Sequence, residues 1–197
     1  MKNRTLRWLG VVALAVLTTP MFAQLSGSYT IDPNGTGTNN YTSFTSAISA
    51  LSTSGVSGPV TFNVKQGTYT EQVTIPNITG ASASNRVTFQ ADPTNTAAAT
   101  VTYSPIGSSD NWTIRLNGSG YITIKGLTIT SGGTTYGQLL NYIGSVTSIQ
   151  ILNNTFNGVA NGSTSSTLGG IYYTSTAEAK GVWKINGNTM NNVSYGV

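Results

Sequence analysis

Three stretches of this chain carry one pattern: Ile122-Thr-Ile-Lys-Gly-Leu-Thr-Ile129, Ile149-Gln-Ile-Leu-Asn-Asn-Thr-Phe156 and Trp183-Lys-Ile-Asn-Gly-Asn-Thr-Met190. In each, two apolar residues stand two apart and a third follows five positions after the second. Side chains alternate along a strand, so the pattern reads as strand, corner, strand with one face turned inward. The copies begin 27 and then 34 residues apart, the length of one coil of a solenoid. A single copy cannot bury its apolar face, so the copies must stack.

The rest of the chain suits that arrangement. One segment has a helical period: over residues 41–54, Phe44, Ala47, Ile48 and Leu51 share a face, with Asn39 or Asn40 to cap its start and Gly55 to end it. After Pro59 come short alternating runs at Val60–Val64, Val73–Ile75, Val87–Gln90 and Thr100–Tyr103, separated by Gly, Asn, Asp, Ser and Pro. No helical pattern lies between them, so they are not βαβ units. Coils drawn over residues 112–137, 138–170 and 171–196 each open on a short apolar strand and run into the repeated motif. The extra length falls mainly in the loop 158–169, at a corner, where a solenoid absorbs insertions.

The N-terminus is organised differently. Lys2, Arg4 and Arg7 precede ten apolar residues, Trp8 to Leu17, and then Thr18-Thr-Pro-Met-Phe-Ala23. This is the plan of a secretory signal peptide over residues 1–23, too short to span a bilayer. Its removal takes three of nine Lys/Arg and leaves six against five Asp/Glu. A near-neutral surface gives no electrostatic footprint for nucleic acid. The chain has no Cys and no His. That excludes Cys- or His-ligated zinc and a His-based triad within it. Residues 24–59 are expected to form an N-terminal strand and helix, and residues 60–197 the stacked coils. Tyr195-Gly-Val197 restarts the motif, so a remainder of a longer chain is expected after Val197.

The inward motif and the corner Asn154 and Asn188 resemble the right-handed parallel β-helices of the pectin-lyase-like superfamily. The opening Tyr41-Thr-Ser-Phe-Thr-Ser-Ala-Ile-Ser-Ala-Leu51, followed by Val60-Thr-Phe-Asn-Val-Lys-Gln-Gly-Thr-Tyr-Thr-Glu-Gln-Val73, is similar to the start of pectin methylesterases and their non-enzymatic relatives. Val56-Ser-Gly-Pro-Val-Thr-Phe62 resembles large exported surface proteins of Bacteroidetes. The resemblance implies an all-β, right-handed parallel β-helix with one short N-terminal capping α-helix, and a structural role for Glu71.

Chemistry on pectin-like polymers needs paired carboxylates, or acids holding Ca²⁺ beside a cationic base. The acids after the leader are Asp32, Glu71, Asp92, Asp110 and Glu178. Asp32 and Asp92 precede prolines and read as turn starters, Asp110 as a turn residue, and Glu178 as a partner of Lys180. The catalytic Asp and Arg of pectin methylesterases have no matching motif. No catalytic residue, metal ligand or cofactor site is therefore assigned. Trp112 and Trp183 share parity with inward isoleucines and are expected in the core, while Lys184, Gln150 and Thr123 form an outward column. Tyr136, Tyr172 and Tyr173 are the candidate ligand-binding aromatics. Asn154 and Asn188 are structural corner residues, suited to a left-handed conformation and to bonding one another across coils.

The reading that follows is a non-catalytic, secreted or cell-surface module for adhesion or contact with a polysaccharide or cell-surface glycan. The alternative is the N-terminal section of a polysaccharide lyase or pectin esterase whose catalytic coils lie further on. An ice-binding solenoid would require a regular outward Thr array, which the column Thr123, Gln150, Lys184 lacks.

Overall fold

A computed structural model describes residues 23–159, 165–173 and 178–194. All but the last residue of the expected leader lies outside them, as do residues 160–164 of the long loop and the closing Tyr195-Gly-Val197. The chain opens with β1 (Leu25–Ile31) and β2 (Asn40–Tyr41), then forms α1 (Phe44–Ser54). It continues through β3 (Val56–Val64), β4 (Gly67–Thr70), β5 (Val73–Pro76), β6 (Val87–Ala91), β7 (Ala99–Tyr103) and β8 (Ile114–Asn117). Next come β9 (Ile122–Lys125), β10 (Thr128–Ser131), β11 (Leu140–Ile143) and β12 (Ser145–Thr147). The last six are β13 (Gln150–Leu152), β14 (Thr155–Asn157), β15 (Ile171–Tyr173), β16 (Glu178–Lys180), β17 (Lys184–Asn186) and β18 (Thr189–Asn191).

These strands lie in stacked parallel sheets. The first sheet has the order β17-β13-β9-β6-β3-β1-β2, the second β18-β14-β10-β7-β4 and the third β15-β11-β8-β5, while β12 and β16 form a short fourth. From β3 onward, successive passes of the chain each add a strand to the first and second sheets. Every pairing between these strands is parallel. Hairpins of a sandwich would have paired antiparallel, so the repeat reflects strands stacked in parallel. The 27- and 34-residue spacings are the register itself, Ile124 opposite Ile151 and Ile151 opposite Ile185.

Like residues stack on like. Phe62, Phe89, Ile124 and Ile151 occupy one column of the first sheet, and the Phe62 and Phe89 rings lie 5.0 Å apart and nearly parallel. Ile122, Ile124, Ile149 and Ile151 are buried, as the motif requires. Two neighbours depart from expectation. Ile185 is 38% exposed, because β17 is the terminal strand of its sheet and no described strand lies beyond it. Thr123, expected outside, is only 4% exposed, flanked in register by Thr88 and Gln150.

α1 begins three residues later than its apolar period suggested, because β2 takes Asn40 and Tyr41. Ser43 is the N-cap, in a reciprocal pair of bonds with Ser46. Phe44, Ala47, Ile48 and Leu51 are its buried face, which packs on β1, β2 and β5. Phe44 meets Tyr69 edge-on at 5.3 Å and Phe89 at 5.9 Å. Gly55 ends the helix at φ 67°, a left-handed value that costs glycine little.

Side chains tie successive passes together. Asn154, buried, accepts from Leu127 N at 3.0 Å and donates to Ile124 O at 2.9 Å on the pass before it. On the pass after it, Asn188 Oδ1 accepts from Asn154 N at 2.9 Å and lies 3.1 Å from Asn154 Nδ2. The left-handed residue of this corner is not Asn154 or Asn188, however. It is the residue before each, Asn153 at φ 53° and Gly187 at φ 67°, which leaves the following amide aimed inward. Arg86 works over a longer reach: its Nη1 donates to Ile122 O at 3.2 Å and to Ser148 O at 2.7 Å.

Candidate functional site

The tyrosines singled out in the sequence lie in two places. Tyr172 and Tyr173 belong to β15, at the edge of the third sheet. With Tyr142, Ile171, Trp183 and Ile185 they line a hollow of about 400 Å³. β15 and β17 are the last described strands of their sheets, and side chains from both line the hollow. Trp183 is half-buried rather than fully inside. Its ring meets Tyr142 edge-on at 5.1 Å, and its Nε1 donates to Lys180 O at 3.1 Å. Burial pushes the Tyr142 hydroxyl far above its ordinary value, so it stays neutral, and none of the described residues that line the hollow is an Asp, Glu, Lys or Arg. Tyr136 sits apart, in a second hollow of about 380 Å³ with Ser104, Pro105, Ile106 and Thr134. The structure therefore brings Tyr172 and Tyr173 together and leaves Tyr136 elsewhere.

Trp112 was expected in the core on the parity of Ile114, and it does not join the core. Its ring lies under the Arg115 guanidinium, with Cζ 3.1 Å from the centroid. Arg115 Nε also donates to Asn141 Oδ1 at 2.8 Å. The pair is a cation–π contact on the outer face of the third sheet. Burial lowers the Arg115 pKa, yet a guanidinium remains charged at any physiological pH.

Each carboxylate is bonded into local structure. Glu71 accepts from Phe44 N at 3.0 Å, Thr45 N at 2.9 Å and Thr45 Oγ1 at 2.6 Å, holding the start of α1. Asp32 accepts from Asn34 N at 2.9 Å, an Asx turn. Asp92 accepts from Thr94 N at 2.8 Å and Oγ1 at 2.6 Å and pairs with Lys65 at 2.8 Å. Asp110 accepts from Gly107 N at 2.8 Å, Ile106 N at 3.2 Å and Tyr103 Oη at 3.1 Å. Glu178 pairs with Lys180 at 2.8 Å and accepts from Ser145 Oγ at 3.2 Å.

These bonds set the acidity. The Lys65 bond, then that from Thr94, outweighs burial and lowers the Asp92 pKa from 3.8 to about 2. Burial pulls Asp110 upward, but the Gly107 and Ile106 amides and the Tyr103 hydroxyl prevail and hold it below the ordinary range. The Lys180 bond, followed by that from Ser145, lowers Glu178. A general acid at neutral pH needs the opposite shift. Among the described residues, no group of three or more His, Cys, Asp or Glu stands ready to hold a metal ion. No described helix is long and apolar enough to cross a membrane.

The Asp92 arrangement has a consequence for acid stability. A carboxyl with a lowered folded-state pKa stabilises the fold above its unfolded value and ceases to do so as pH falls through the folded one. For Asp92 that window runs from pH 3.8 down to about 2. Thermal melts across this window should show a shallower loss of Tm with falling pH in Asp92→Asn than in wild type. Parallel slopes would show that the Lys65 pair contributes nothing to folding.

No protein-family model, curated protein or solved structure matches this chain.

Proposed function

We propose that this chain is a right-handed parallel β-helix, capped at its first turn by α1, that acts outside the cell as a non-catalytic module for adhesion or glycan contact. Support for the coil comes from the order of strands in the sheets and from the strong right-handed preference of connections between parallel strands. The cap reading rests on the buried face of α1 against β1, β2 and β5, where an uncovered strand edge and core would invite aggregation. Export rests on the leader pattern of residues 1–23.

The observation that carries the functional reading is the state of the five carboxylates. Each is bonded to backbone amides, hydroxyls or a lysine, and the three with perturbed acidity are shifted downward. Lys65 and Lys180 are both paired with these acids, so neither is poised as a base. The hollow beside Tyr172 and Tyr173 offers apolar walls and aromatic rings, the combination that holds a sugar ring by its faces.

The test is a polysaccharide panel presented to the purified full chain after removal of the leader. Expected are retention by at least one glycan, loss of that retention in Tyr172→Ala/Tyr173→Ala, and no unsaturated product, reducing ends or methanol. Turnover abolished by Asp110→Asn would replace this reading with that of a carbohydrate-active enzyme. Retention unchanged in the double variant would remove the tyrosines from the site.

A further inference from the structure

The outer face of the second sheet carries a two-dimensional grid of threonines. β4 contains Thr68-Tyr-Thr70, β7 Thr100-Val-Thr102, β10 Thr128-Ile-Thr130, β14 Thr155-Phe-Asn157 and β18 Thr189-Met-Asn191. Tyr69, Val101, Ile129 and Phe156, the centres of the first four triplets, are buried in the core, so the flanking pairs face outward. The register aligns Thr68, Thr100, Thr128, Thr155 and Thr189 in one column, and Thr70, Thr102, Thr130, Asn157 and Asn191 in a second. All ten are partly or fully exposed, and these five strands contain no charged residue. Among the described residues, none of the eight threonine hydroxyls is bonded to another protein group.

The other large sheets are not built this way. In the first, the column Thr61, Thr88, Thr123 continues as Gln150 and Lys184. In the third, Thr74 is followed by Arg115, Asn141 and Tyr172. The regular array missing from the strands at Thr123, Gln150 and Lys184 is present one corner further along the chain.

A grid of this kind suits an ordered, uncharged solid. Neighbouring strands lie about 4.8 Å apart, which sets the spacing down each column. Two waters bonded to the same third water at the tetrahedral angle lie about 4.5 Å apart, given bonds of about 2.75 Å. Four steps down the column accumulate a mismatch of about 1.2 Å, less than half of one such bond. Threonine supplies a hydroxyl that both donates and accepts, and a methyl that structures the water around it. Its branched Cβ restricts χ1, so little freedom is lost when the face meets a lattice. A sugar polymer would call for an aromatic platform and a charged mineral for ions, and this face has neither outward.

We infer that the threonine face of the second sheet binds ice. This goes beyond the glycan reading and uses a different surface from the hollow beside Tyr172 and Tyr173.

The test is growth of ice from a dilute solution of the leader-free full chain, measuring the share taken into the ice and the shape of the crystals. The chain should concentrate in the ice and facet the growing crystals. Thr128→Tyr, at the centre of the grid, should lower the share at least about tenfold, a loss of about 1.4 kcal/mol, at unchanged Tm. Thr88→Tyr, on the first sheet, should leave it as in wild type. Should Thr128→Tyr fail to fold, Thr100→Lys on the same column decides, and it too should fall. Rejection of the folded wild-type chain from ice would overturn the inference, as would equal losses in the second-sheet and first-sheet variants. Tyr172→Ala/Tyr173→Ala should keep ice uptake whatever it does to glycan retention, so the two proposals fail separately.

Discussion

Replacing Leu51 with Asp is expected to destabilise the chain by on the order of 3 kcal/mol or more. Leu51 has no exposed surface and lies on the face of α1 that packs against the first strands. An aspartate there either loses its hydration without a partner or lifts the helix from the sheets. The second outcome would uncover Phe44, Ala47 and Ile48 along with it. Glu71 should make the loss cooperative, since it holds the first turn of α1 from the strand side through three bonds. Chemical denaturation of the two proteins gives the difference directly. A variant that unfolds at the wild-type midpoint would mean that the helix is dispensable to the sheets.

A second large effect is expected at Asn154. Its change to Ala removes the partner of Leu127 N, one partner of Ile124 O and the Nδ2 bond to Asn188, leaving only the backbone bond from Asn154 N to Asn188 Oδ1. The side chain is 1% exposed, so water cannot take its place without opening the corner. With a buried unpaired group costing about 1–3 kcal/mol, a loss of about 3 kcal/mol follows. Asn188→Ala should cost less, because Asn188 is only half-buried and water can reach the Asn154 N and Ile151 O that it leaves without a side-chain partner. Equal losses at the two positions would show that burial does not set the strength of this ladder.

The parallel stacking was legible because the inward isoleucines recur at the spacing of the register, and nothing else about the chain had to be known. Details that depend on neighbours across the stack were not legible. Ile185 has the right parity, yet parity cannot say whether another strand covers it. Parity counted from Ile114 points Trp112 inward, but residues 108–110 form a 3₁₀ turn and β8 starts only at Ile114, so alternation does not extend that far. Propensity favours the asparagines as N-cap, but Asn40 belongs to β2 and Ser43 takes that place. The threonine grid is plain in the sequence as Thr-x-Thr or Thr-x-Asn. It lies on the second strand of each motif, and the column on the first strand, Thr123, Gln150 and Lys184, gives no sign of it.

Arg86 gives the stack a property that neighbour contacts alone would not. Most of the molecule's bonds join one pass to the next, which makes a linear array that can fray from an end one layer at a time. The Arg86 guanidinium instead reaches Ile122 and then Ser148, 62 residues away in sequence. Its positive charge is half-buried, and removing the later layer would strand a donor on that charge. The three passes at Arg86, Ile122 and Ser148 therefore tend to open as one block, and the middle of the chain should behave less like a zipper than like a clasped unit. Synthesis must lay down two further turns before the clasp at Arg86 can shut.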